Sequence, residues 1–145
     1  MQSRQFIPLA VVIAAFAAPV HAAESPSKAP PAAVQPLLTK TLADVAGKEV
    51  MMLAVEYPPG GASQPHRHDA HTFVYVLEGS IVMAVSGGKE MTLTAGETFY
   101  ESPTDVHSVS RNASTTQPAK FLVFFLKNAG APATTPVDAA SASAR

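Results

Sequence analysis

The sequence predicts an all-β domain whose strands close into a barrel. Three observations carry that prediction. From Pro36 to about Asn128, short runs rich in β-branched and aromatic residues alternate with Gly- and Pro-containing turns. No stretch there keeps a 3.6-residue apolar period over three turns, so no long helix is expected. A small domain also has few residues with which to cover open sheet edges, and closing the sheet on itself removes them.

The elements follow in order. Residues 37–41 are the first expected strand and 49–57 the second, with at most one helical turn at 42–46 between them. Pro58, Pro59, Gly60 and Gly61 cannot continue a strand and mark a turn. Residues 72–77, Thr-Phe-Val-Tyr-Val-Leu, form the third strand, and Glu78-Gly79-Ser80 turns it into 81–85. Ser86-Gly87-Gly88-Lys89 is a hairpin turn leading to 90–93. A turn at 94–97 precedes the short strand 98–101, which stops at Pro103. Residues 106–111 and 121–127 complete the domain.

Both ends have a different character. Residues 1–22 read as a signal peptide: Arg4 supplies the positive start, 6–20 is apolar, and Val20-His21-Ala22 fits the small-residue rule, with cleavage after Ala22 or Ala23. The apolar run is shorter than the roughly 20 residues of a spanning helix, so no membrane span is expected after cleavage. A periplasmic or secreted protein is the expectation. Without a twin-arginine pair, it would cross unfolded and acquire any metal outside the cytoplasm. Residues 23–35, rich in Pro, Ala and Ser, read as a flexible linker, and 129–145 as a disordered tail. The barrel domain is thus placed at 36–128.

Composition excludes several classes. The 145 residues suffice for one ordinary domain. The net charge of -1, with acids and bases interspersed, leaves no basic footprint for nucleic acid. There is no cysteine, so a metal site must use nitrogen and oxygen.

Histidines provide those donors. His66, His68 and His71 lie in the stretch from Gly60 to Gly79, and His107 follows later. If the segment is extended, His66 and His68 share a face, His71 points the other way unless a bulge intervenes, and Thr72 returns inward. Metal binding competes here with a metal-free surface loop for His66 and His68, and with a hydrogen-bonded turn histidine for His107. Arg67 and Asp69 are expected to form a screened surface pair. Met51, Met52, Met83 and Met91 are expected to fill the barrel.

These residues carry a resemblance to the cupin superfamily, in its small single-domain form with a jelly-roll, or double-stranded β-helix, barrel. Its first motif is G, five residues, H-x-H, three or four residues, E, six residues, G. Gly60, His66, His68 and Gly79 fit, while Thr72 stands where the motif has glutamate. Its second motif is G, five residues, P-x-G, two residues, H, three residues, N. Gly96 and His107 fit; Ser102 and Thr104 replace the proline and glycine, and Arg111 replaces the asparagine, with Asn112 one place late.

The resemblance implies His66, His68 and His107 as ligands to one divalent transition metal: Fe, Mn, Cu, Ni or Zn. Imidazole suits several of these, so the ligand set does not select the ion. His71, Thr72 and Glu101 are candidate additional ligands or outer partners, although Glu101 reads first as an exposed edge carboxylate. A three-histidine site with open positions resembles those of cupin dioxygenases acting on thiols or diketones. The implied function is a metal-dependent oxygenase or lyase on a small organic molecule. A non-catalytic binding module for a small ligand or metal is the alternative, and a sensor or partner-binding domain a third. Cupin relatives also imply a homodimer. Two expectations test the site: His66→Ala or His107→Ala loses metal while His71→Ala does not, and Thr72→Glu tightens binding by restoring a fourth ligand.

Overall fold

The computed structural model describes residues 28–138, and the expected signal peptide lies outside the described residues. Within them the structure is all-β, with ten strands in two antiparallel five-stranded sheets. The strands are β1 (Ala33–Thr41), β2 (Lys48–Tyr57), β3 (His66–Arg67), β4 (His71–Glu78), β5 (Ser80–Val85), β6 (Met91–Thr94), β7 (Thr98–Glu101), β8 (His107–Asn112), β9 (Ala119–Asn128) and β10 (Thr135–Pro136). One sheet runs β1-β2-β9-β4-β7 and the other β10-β3-β8-β5-β6. This is the expected jelly-roll barrel.

Strand alternation builds the core. In β9, Phe121, Val123 and Phe125 are buried while their neighbours are half-exposed; Leu53, Val55 and Tyr57 of β2 alternate likewise, and Val74 and Val76 of β4 are buried between exposed neighbours. Ile81, Met83 and Leu93 of the second sheet face them and close the cluster. Burying such side chains is worth about 1.5–3 kcal/mol each, the main favourable term for this domain. Met83 is core and Met51 packs against it, but Met91 is exposed on β6, contrary to the expectation that it fills the barrel.

Three boundaries differ from the sequence reading. β1 starts at Ala33, inside the expected linker, because Ala33 to Pro36 pair with Glu56 to Leu53 of β2. Pro36 is tolerated because β1 is an edge strand and its register shifts between Pro36 and Leu38. Residues 42–47 form a tight turn closed by Leu42 N–H to the Lys48 carbonyl, not a helical turn. The expected tail contains β10, which pairs antiparallel with β3. Proline and threonine are compatible with this two-residue edge pairing, which composition alone does not reveal.

Candidate metal centre

His66 sits on β3, opposite His107 of β8. Asp69, one residue beyond His68, has φ 50°, a left-handed conformation that aspartate tolerates. That bend separates β3 from β4 and lets the chain re-enter at His71. His71 then points outward, with its Nδ1 2.8 Å from the Tyr100 hydroxyl, while Thr72 is fully buried. The parity expectation for both holds: the structure brings Thr72 inside and keeps His71 away from the cluster. Arg67 and Asp69 pair at 3.3 Å, with Asp69 exposed and Arg67 half-buried, its Nε shielded from solvent.

One ring nitrogen from each of His66, His68 and His107 lies within 4.8 Å of the others. Ligand atoms about 2.1 Å from a common ion lie about 3–4 Å apart, so a small contraction would serve all three. The outer nitrogens fix the ring orientation. His66 Nδ1–H donates to the Gln64 carbonyl and His68 Nδ1–H to the Ala133 carbonyl, each at 2.7 Å. Both leave Nε2 with its lone pair, the tautomer a metal ligand needs. Phe125 packs on His68 with ring centroids 4.8 Å apart, and Phe99 stacks on His107 at 6.0 Å.

Glu101 stands beside them. The sequence favours an exposed edge carboxylate here; instead the residue is 2% exposed, because it ends β7 with its side chain turned into the barrel. Its Oε1 is 3.2 Å from His107 Nδ1, and its Oε2 is 3.8 Å from His68 Nε2. Glu101 Oε1 and both ring nitrogens of His107 make no hydrogen bond of normal geometry, although all are buried. Buried polar atoms are ordinarily paired. An unpaired acceptor nitrogen of His107 and Glu101 Oε1, clustered beside two further imidazoles, fit a divalent cation.

Burial sets the protonation states. It lowers His66, His68 to about 4 and His107 to about 3, with neighbouring imidazoles pushing the last two the same way. The rings are therefore neutral near pH 7, as ligation requires. Burial, reinforced by Asp105, raises Glu101 to about 8.

A cavity of about 640 Å³ adjoins the cluster. Its walls are largely apolar, formed by Leu53, Val55, Val74, Met83, Phe121 and Phe125. Tyr57 adds a hydroxyl, held at 2.6 Å from Ser63 Oγ and 2.7 Å from Ser110 Oγ. Both described ends of the chain line it as well, from Lys28 to Ala32 and at Thr134 and Pro136. The part played by these ends is not visible in the sequence, because they carry no motif.

Known proteins share this fold. The structure aligns with an oxalate oxidase in complex with the substrate analogue glycolate, at 28% identity and TM-score 0.56, covering 73% of this chain and 55% of that one. The chain thus spans about half the length of that oxidase. A cupin domain from Bordetella pertussis Tohama I aligns at 22% identity and TM-score 0.56, over 70% of this chain and 98% of that one. The DMSP lyase of Ruegeria pomeroyi aligns at 19% identity and TM-score 0.53, over 61% and 43%. At those identities the last two speak for the fold alone. No curated protein sequence matches the chain. The cupin domain family matches residues 53–125, half of the chain and the strands that carry all three clustered histidines. The chain belongs to the cupin family.

Proposed function

We propose that this protein is an exported cupin that holds one divalent transition metal on His66, His68 and His107 and uses it on a small organic molecule. The carrying observation is the convergence of three neutral imidazoles, two of them oriented by backbone carbonyls, with unpaired buried polar atoms at the wall of a 640 Å³ cavity. A bound ion would supply Lewis-acid or redox chemistry to a molecule reaching the cavity. The protein's own part is to orient the rings of His66 and His68 through the Gln64 and Ala133 carbonyls and to exclude water with apolar walls.

The cavity suggests the substrate class. Apart from Glu101, its only charged lining residue among the described residues is Lys28. A carboxylate or other oxygen group would have to reach the metal, with the apolar remainder against Phe121 and Phe125. The likeness to an oxalate oxidase supports an oxidase, oxygenase or lyase reading. The same apolar lining also favours a second reading, a non-catalytic module that binds a small ligand.

Elemental analysis of protein purified without a tag tests the site. About one metal ion per chain, lost in His107→Ala, is the expected result. Absence of metal in the parent protein, even after reconstitution, would remove the metal-dependent reading. Turnover of small carboxylates, thiols and diketones by the loaded protein, against binding without turnover, separates the enzyme from the binding module. Cell fractionation tests the proposed periplasmic or secreted location.

We also propose a homodimer. The outer face of the β1-β2-β9-β4-β7 sheet leaves Phe73, Tyr75, Leu77 and Tyr100 exposed together, an apolar surface of the kind that pairs in oligomers.

A further inference from the structure

We infer that Glu101 is the fourth protein ligand of the metal proposed above, delivered across strands to the position that Thr72 leaves without an acid. The inference rests on the three-histidine reading and adds a residue to it. Thr72 of β4 and Glu101 of β7 are directly paired in register. Both are buried, at 0% and 2% exposed, so both side chains enter the same interior space. Side chains of directly opposed residues start about 4.5–5.5 Å apart at Cβ, a gap that the two methylenes and carboxylate of a glutamate bridge. An acid on β7 can therefore reach what an acid on β4 would have reached.

The carboxylate is aimed accordingly. Oε2 is 3.8 Å from His68 Nε2, the nitrogen left facing inward because Nδ1–H is given to Ala133. Oε1 is 3.2 Å from a ring nitrogen of His107 and has no hydrogen-bond partner. These two separations match those of neighbouring ligands around one ion. Glu101 stands just outside the group of ring nitrogens that lie within 4.8 Å of one another, so its carboxylate would swing toward His66 on binding. A buried carboxylate without a cation or full hydrogen bonding is costly, whereas ligation would resolve that cost. Thr72 is small and its hydroxyl makes only a long 3.5 Å contact to the Ala70 carbonyl, so it leaves room for the incoming acid.

The test is an exchange of the two residues. Co(II), whose visible spectrum reports its ligands, would be titrated in competition with a chelator into the full-length protein, Glu101→Gln, Glu101→Thr, and the double variant Glu101→Thr/Thr72→Glu. Circular dichroism of each metal-free protein controls for folding, and Glu101→Gln keeps the size and hydrogen-bonding oxygen of the side chain. The expected result is a loss of affinity in both single variants exceeding the roughly 10- to 100-fold cost of losing an outer partner. Recovery to within about tenfold in the exchanged protein, with the parent's spectrum, is also expected, since one carboxylate then faces the ion again. Unchanged affinity in Glu101→Gln would overturn the assignment and leave the three-histidine site standing. So would an exchanged protein no better than Glu101→Thr. Failure of the parent protein to bind Co(II) would overturn the metal reading itself.

Discussion

His68 depends on a residue far from it in sequence, since its Nδ1 proton is held by the Ala133 carbonyl 65 positions later. At this scale His66 and His68 are legible from strand parity, while His107, on a separate strand, joins them in the sequence only through the resemblance to the cupin motifs. Parity also places His71 outside and Thr72 inside. Glu101 is legible only as a candidate: which residue of β7 faces Thr72 is a matter of register, and register is set by tertiary packing. His66→Ala and His107→Ala should each abolish stoichiometric metal while His71→Ala retains it, as read by elemental analysis.

The same residues make the metal-stripped protein sensitive to pH in both directions. His68 and His107 take protons at about 4 and 3 when folded but near 6.5 when unfolded, so the unfolded chain binds more protons between those values. Stability should therefore fall as pH drops below 6.5. Glu101 keeps its proton up to about 8 when folded but loses it near 4.5 when unfolded, so its contribution falls as pH rises through that window. The two arms place the stability maximum at about pH 6.5–7. Urea midpoints across pH would show it, and Glu101→Gln should flatten the alkaline arm.

At the scale of elements, turns and the C-terminal segment are decisive. Gly79 joins β4 to β5 at φ 72°, and a Cβ there would lie 2.5 Å from the Pro118 carbonyl oxygen. Gly96 has φ 91° but open space around it. Gly79→Ala should thus cost more than the roughly 1–3 kcal/mol of backbone strain expected for Gly96→Ala, as measured by chemical denaturation. Both glycines are legible as turns, but the close approach to Pro118 is not, because it is a long-range contact.

Composition marks the segment after β9 as a tail, yet its start is fixed to the barrel. It is anchored by Lys127, whose buried ammonium donates to Glu49 and to the Ala131 carbonyl, and it reaches β10 against β3. A chain ending at Pro132 keeps that anchor but removes Ala133 and β10. Its metal affinity should fall by about 10- to 100-fold, the cost of an outer partner, with β-content retained. Metal titration and circular dichroism together check this.

For the whole molecule, barrel closure is legible from many short strands with regular turns, and the motif spacing locates the site within the barrel. The division into two five-stranded sheets is not, because strand order depends on pairings such as β2 with β9, far apart in sequence. The apolar outer face of the first sheet predicts association: light scattering should give the mass of a dimer, and Tyr75→Glu, at 47% exposed, should shift it towards monomer without loss of metal.

The pairing of β10 with β3 also bears on the order of events in the life of one polypeptide. Synthesis runs from the N-terminus, so His66, His68 and His107 all exist before Ala133 does. Until that last stretch emerges and docks, the ring of His68 has no carbonyl to turn it towards its neighbours. An ion arriving early meets a loose set of imidazoles, and one arriving late meets a shaped socket. If an ion binds as proposed, the full orientation of its ligands is therefore reached only after Ala133 has docked.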